Sequence, residues 1–192
     1  VFWNGKIWVV IAMTVSGTNA VYAFSSTDAS AWTGPTQLSQ AGLSWVATPR
    51  IMLDGSTIRV AYFGPTGVHI ASSSDGTSWT NTFVIASGDV DFDPALVKLS
   101  GTYHLFWAPA ESSTEPHHWH QWIERTISTD LTTWSEPVQI TTGCNSDCSK
   151  VWWDYWSEPF VDGGDLYFFH SSLRNSDGTN WTDSNLWLIM NP

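Results

Sequence analysis

Short apolar runs separated by clusters of Gly, Asp, Ser and Pro recur along the whole chain, and no stretch keeps a helical period. The clearest set runs from residue 49 to residue 86. Pro49 to Leu53 leads through Asp54-Gly55 into Ile58 to Phe63. A second turn at Gly64 to Gly67 precedes Val68 to Ser72, and Phe83 to Ala86 closes the set. Four such runs joined by tight turns predict an antiparallel meander. The pattern returns at Pro94 to Leu99, Tyr103 to Ala108, Ile123 to Ser128 and Val138 to Ile140, with a longer insertion before Ile123. An earlier copy reads Val1 to Trp3, Lys6 to Ile11 and Val21 to Ser25. A later one reads Pro159 to Val161, Leu166 to His170 and Asn185 to Met190, and ends within its third strand.

A phrase marks the phase of these copies. Ser26-Thr27-Asp28 with Trp32, Ser73-Ser74-Asp75 with Trp79, and Ser128-Thr129-Asp130 with Trp134 all follow the third run of their set. The period is about 50 residues, the length of a repeat architecture built from supersecondary units. Four-stranded units at that period predict an all-β fold, a β-propeller of four-stranded antiparallel blades. The blades fall at about 1–40, 46–88, 91–142 and 156–192, all within one domain. About four blades are visible, which predicts an incomplete five-bladed ring. Each phrase reads as a staple, because Ser and Asp side chains accept backbone N–H bonds in a turn and a Trp can cover it. Asp28, Asp75 and Asp130 are therefore not expected to do chemistry. Asn175-Ser176-Asp177 with Trp181 arrives too early in its blade and reads as a loop between middle strands.

Composition narrows the partners. Seven basic residues stand against eighteen acidic ones, for a formal net charge of −11. Nucleic acid is not an expected partner, since phosphate binding needs clustered Lys and Arg, and an acidic surface disfavours anionic membranes. Cys144 and Cys148 bracket a small polar loop. A disulfide there suits an exported protein, and an extracellular location is expected; the spacing alone does not fix the bond. A zinc site would need a second thiol pair. No cofactor is expected; calcium stays open, with no motif for it.

Innermost strands of a propeller line its channel, so functional carboxylates are expected where blades start. Asp93-Pro94 opens the third blade and Glu158-Pro159 the fourth, each acid immediately before a proline and at the same place in its repeat. The second blade has Thr48-Pro49-Arg50 there. Paired carboxyls suit glycoside hydrolysis, which needs one protonated acid and one ionised base or nucleophile. The plainer reading is that both acids initiate turns before strands.

The segment from Asp93 through Gly101, Tyr103, Leu105 and Phe106 resembles the Asp-Pro…Gly-x-Tyr-x-Leu-Phe pattern of five-bladed propeller glycosidases, nearest to glycoside hydrolase family 43. Ser157-Glu158-Pro159-Phe160-Val161 with Leu166 to Phe169 resembles that family's general-acid segment. The phrase at Ser128 to Trp134 resembles a turn common among these enzymes, the Asp box that sialidases also carry. The resemblance implies Glu158 as general acid and Asp93 as the aspartate that orients it and tunes its pKa. It implies an inverting hydrolysis of polysaccharide, of arabinosidase or xylosidase type. The family's base is an aspartate opening the first blade, and that position would lie upstream of Val1, which leaves activity of the chain open.

Carbohydrate is the expected partner on other grounds as well. Trp119 and His118 lie in the third-blade insertion, and Trp153 and Trp156 lead into Glu158. Flat aromatic faces stack on sugar rings around a few polar contacts, although Trp152, Trp153 and Trp156 could instead pack between blades. Arg50 serves equally as a substrate clamp or as the partner of an acid. His117, His118 and His120 are not expected to hold a metal, since adjacent side chains of an extended loop point apart. The alternatives are a non-catalytic sugar-binding propeller or an extracellular assembly subunit. Self-association through an unfinished blade edge is expected in that case. A sialidase-like enzyme would need an arginine cluster that Arg50, Arg59, Arg125 and Arg174 do not readily form.

Overall fold

The structure, a computed structural model, describes residues 1–86, 90–112, 119–141, 151–175 and 183–191, for some strand ends by backbone alone. Its strands are β1 (Phe2–Trp3), β2 (Lys6–Val15), β3 (Thr18–Ser26), β4 (Thr33–Gln37), β5 (Ala47–Asp54), β6 (Thr57–Gly64), β7 (Gly67–Ser73) and β8 (Thr80–Ala86). They continue with β9 (Val90–Leu99), β10 (Thr102–Ser112), β11 (Trp119–Gln121), β12 (Glu124–Ser128), β13 (Val138–Gln139), β14 (Val151–Asp162), β15 (Asp165–Asn175) and β16 (Asp183–Met190). The fold is all-β, with repeated antiparallel meanders of the β-propeller type, consistent with an incomplete propeller.

The chain divides into two compact units, Val1–Ala86 and Ser87–Pro192. The first holds two separate four-stranded sheets, β1-β2-β3-β4 and β5-β6-β7-β8. Their shared core contains Trp3, Trp8, Val21 and Ala23 from the first blade and Ile58, Val60, Tyr62 and Ala71 from the second. The second unit holds β9-β10-β12-β13 and β14-β15-β16, with β11 between them. Its core joins Val97, Phe106, Ala108 and Ile123 to Leu166 and Phe168. The rings of Phe106 and Phe168 stack with centroids 4.6 Å apart.

Sequence reasoning placed the meander strands but not the insertion. Strand β11 pairs antiparallel with β10 and parallel with β14, so that blades three and four share one eight-stranded sheet. The first strand of the fourth blade also starts earlier than expected, at Val151. The Trp-rich run is thus strand, paired from Val151↔Asn175 to Tyr155↔Ser171, and not a lead-in.

The three Ser-x-Asp turns are the same object three times. Asp28 Oδ1 accepts the backbone N–H groups of Ser30 and Ala31, Asp75 Oδ1 those of Thr77 and Ser78, and Asp130 Oδ1 those of Thr132 and Thr133. The preceding serine hydroxyl donates to the aspartate and accepts the N–H of the residue after it, at 2.9 Å for Ala29, 2.8 Å for Gly76 and 2.9 Å for Leu131. That residue takes a left-handed φ of 61°, 75° or 65°. Backbone donors favour the ionised carboxylate, so all three aspartates are held well below the usual carboxylate range. Trp32 and Trp134 donate their indole N–H to the left-handed residue's carbonyl, whereas Trp79 packs against the core of the first unit.

Candidate functional site

The first strands of three blades carry the same irregularity. In β5, Thr48 and Pro49 lie opposite the single residue Tyr62, because Ala47 pairs with Phe63 and Arg50 with Ala61. In β9, Asp93 and Pro94 lie opposite Trp107, between Phe92↔Ala108 and Ala95↔Phe106. In β14, Trp156 and Ser157 lie opposite His170, between Tyr155↔Ser171 and Glu158↔Phe169. Each is a two-against-one β-bulge, the device that bends a strand and re-aims a side chain beside active sites. Proline suits the bulge in β5 and β9, where its missing N–H breaks no ladder bond. Thr48 and Asp93 both take a left-handed φ, 45° and 51°. That region disfavours a β-branched threonine and accepts aspartate more readily.

The bulges correct one expectation. Asp93 and Glu158 do not occupy the same place in their repeats. Counted back from the hairpin pairs Leu99↔Thr102 and Asp162↔Asp165, Glu158 stands two residues nearer the turn than Asp93. Its counterparts are Ala95 in blade three and Arg50 in blade two, which pairs with Ala61. Asp93 instead matches Thr48 and Trp156. The two X-Pro dipeptides look alike locally, but the extra bulge residue falls within Asp93-Pro94 in one strand and before Glu158-Pro159 in the other.

The environments of the two acids differ accordingly. Asp93 is buried inside its bulge, and Glu158 is exposed just after its own. Glu158 shares a sheet face with its cross-strand neighbours Phe169 and Leu188. Strands β9 and β14 lie against one another, so the structure brings the two acid-bearing strands together within one unit. Buried beside them is His170, which faces the β14 bulge and stacks on Phe168 at 5.9 Å. Sequence reasoning missed His170 and Trp107 as the residues opposite the bulges. Their only signal was position, five residues beyond the hairpin pair, as for Tyr62.

Arg50 is half-buried on β5 in the first unit. Trp153 and Trp156 lie on β14 and Trp119 on β11, where the structure describes the backbone only. The parallel pairing sets Gln121 beside Trp153 and His120 beside Trp152, so β11 runs along the Trp-rich strand. His117, His118, Cys144, Cys148 and the Ser176 to Trp181 stretch lie outside the described residues. Among the described residues, no three His, Cys, Asp or Glu side chains form a metal-binding group.

No family model matches the chain, and no curated protein matches it. Solved structures do. An α-L-arabinanase from Cellvibrio cellulosa aligns at a TM-score of 0.69 and 10% identity, over 98% of this chain and 70% of that one. A glycoside hydrolase family 32 β-fructofuranosidase from Bombyx mori aligns at 0.64 and 14% identity, over 97% of this chain and 44% of that one. A family 93 α-L-arabinofuranosidase from Fusarium graminearum, solved with arabinobiose, aligns at 0.60 and 13% identity, over 95% and 59%. At such identities the likeness establishes the fold that these hydrolases share, and the chain spans only part of each.

Proposed function

We propose that the protein is a carbohydrate-active propeller and that its second unit carries a glycosidase-type acid site of the family 43 kind. Glu158 is the general acid and Asp93 the residue that orients it. The observation that carries this reading is the pair of bulged, acid-bearing strands β9 and β14 lying side by side, one acid buried and one exposed. A proton donor must reach solvent-borne substrate, and a supporting aspartate must stay fixed; the two environments suit those roles. Propeller hydrolases of arabinose- and fructose-containing substrates among the structural neighbours point to a furanoside or related polysaccharide. An inverting reaction needs a base carboxylate about 6.5–9.5 Å from the acid, with room for water between them. Such a protein works outside the cell, and Trp119, Trp153, Trp156 and His118 are the proposed sugar contacts of this site.

The test is hydrolysis of aryl α-L-arabinofuranosides and β-D-xylosides by the chain and by Glu158→Gln. Turnover by the parent that falls at least a hundredfold in the variant supports the role of Glu158. Equal turnover by the two proteins removes it, and tight arabinobiose binding without turnover moves the reading to a non-catalytic sugar-binding propeller.

A further inference from the structure

The seam between blades three and four is held in two different ways along its length. At one end, Ala110 to Ser112 of β10 pair with β11, and β11 pairs with Trp152 and Trp153 of β14. Backbone hydrogen bonds run across both blades there. At the other end, beside the hairpin pair Leu99↔Thr102, no ladder crosses the seam among the described residues. Side chains alone close it, with Val97, Phe106 and Ala108 of blade three against Leu166, Phe168 and Ile189 of blade four. The seam thus has a hinge at β11 and a free end that can part without breaking a ladder bond.

Two cationic groups sit at that free end. His104 lies opposite Val97 on β9 and Ile127 on β12, and so shares the seam face with Phe106. Its side chain is half-buried, and its Nδ1 is covered and meets no hydrogen-bond partner. Arg125, opposite Phe106 and one step along the same face, is also half-buried, and its guanidinium makes no hydrogen bond or ion pair among the described residues. The surroundings supply no counter-charge. Lys98 of β9 turns to the other face, against Tyr103, and Glu124 of β12 does the same, bonded to Trp122. Blade four presents Leu166, Phe168 and Ile189, and the next titratable group along its face is His170. Burial, with the Arg125 charge added to it, holds the His104 imidazole below its ordinary value. A proton on Nδ1 would meet no acceptor, and its charge would stand beside a second cation in an apolar setting.

We propose that His104, beside Arg125, is a proton-operated latch, whose protonation opens the free end of the seam between blades three and four about the β11 hinge. In the closed form the imidazole is neutral. In the open form both of its nitrogens reach water. The open form therefore takes up its proton at the ordinary histidine value and the closed form only at lower pH, so acidification favours opening. Between those two values the ratio of open to closed rises about tenfold per pH unit, and below the lower one it levels off. Opening also parts β9 from β14, the strands that carry Asp93 and Glu158. That consequence for an active site rests on the acid-site reading; the latch does not.

The experiment is NMR on the 192-residue chain with labelled isoleucine methyls and a soluble nitroxide, whose relaxation of each methyl reports its access to solvent. Ile123 and Ile189 report on the seam, and Ile58 in the first unit is the reference. From about pH 7.5 to about pH 5, relaxation of Ile123 and Ile189 should rise at least about threefold, with Ile58 and the circular dichroism unchanged. His104→Leu removes the proton site and should give a flat profile. His104→Gln keeps a polar side chain that does not titrate and should do the same, which covers the case in which the leucine variant fails to fold. Seam methyls that stay flat in the parent overturn the inference. So does a rise equal to the parent's in either folded variant, which would assign the proton to another group such as His170. A rise shared by Ile58, or accompanied by loss of β structure, overturns it as well, because that is unfolding of the chain and not the opening of one seam.

Discussion

Replacing Gly76 by alanine would build a methyl carbon into the indole of Trp8, 2.5 Å from Cζ2 and closer still to Cη2. The ring has no free direction. Trp8 is buried, its Nε1 donates to the Trp3 carbonyl at 3.2 Å, and its ring lies 5.8 Å from that of Trp3. Two costs are separable here. The left-handed φ of 75° costs an alanine about 1 kcal/mol relative to glycine. Ala29 and Leu131 already occupy that place in the other two turns, so the backbone term is bounded by native examples. Overpacking of a filled core adds about 1–3 kcal/mol. Urea denaturation of Gly76→Ala should therefore show a loss of about 2–4 kcal/mol. The same substitution in a Trp8→Leu background should lose only the backbone share, giving a coupling of about 1–3 kcal/mol in the double-mutant cycle. Equal losses in the two backgrounds would refute the steric account, and a loss below about 1 kcal/mol in the parent would refute both parts.

Three further outcomes follow from particular contacts. Phe168→Ala, which removes the fully buried ring stacked on Phe106, should cost about 3–5 kcal/mol by urea denaturation. Asp28, Asp75 and Asp130 stay ionised in the folded state to lower pH than in the unfolded chain, where they titrate near 3.8. Their contribution is thus complete above that value and is lost as pH falls below it; melting temperatures measured from pH 6 to pH 2 should drop most steeply below about pH 4, and a flat profile there would contradict the staple geometry. Burial holds His69 and His104 below their ordinary value of 6.5, so the unfolded chain takes up protons first and stability should decline as pH falls through that range. His69→Phe keeps a ring between Tyr62 and Phe83 and should flatten part of that decline.

Local chemistry was legible and register was not. The Ser-x-Asp phrases could be read because the whole staple lies within a few residues, and the turn glycines gave the hairpins for the same reason. The bulges escaped because one extra residue shifts every later position by one without changing composition. Asp93-Pro94 and Glu158-Pro159 therefore looked equivalent, and only the pairing of β14 with β15 separates them. Strand β11 escaped for a different reason. Its parallel partner lies far along the chain, and three residues carry too little pattern to name a neighbour.

The short strand β11 has a mechanical meaning. Blades one and two share side-chain packing but no ladder, so each can lose its hydrogen bonds without breaking the other's. Blades three and four are stitched: opening β14 must also strip amides from β11, and through it from β10. Native-state hydrogen exchange should then find a single cooperative opening for the second unit and two separable openings for the first. A sequence that repeats one sheet four times has thus made its halves unequal in how they come apart.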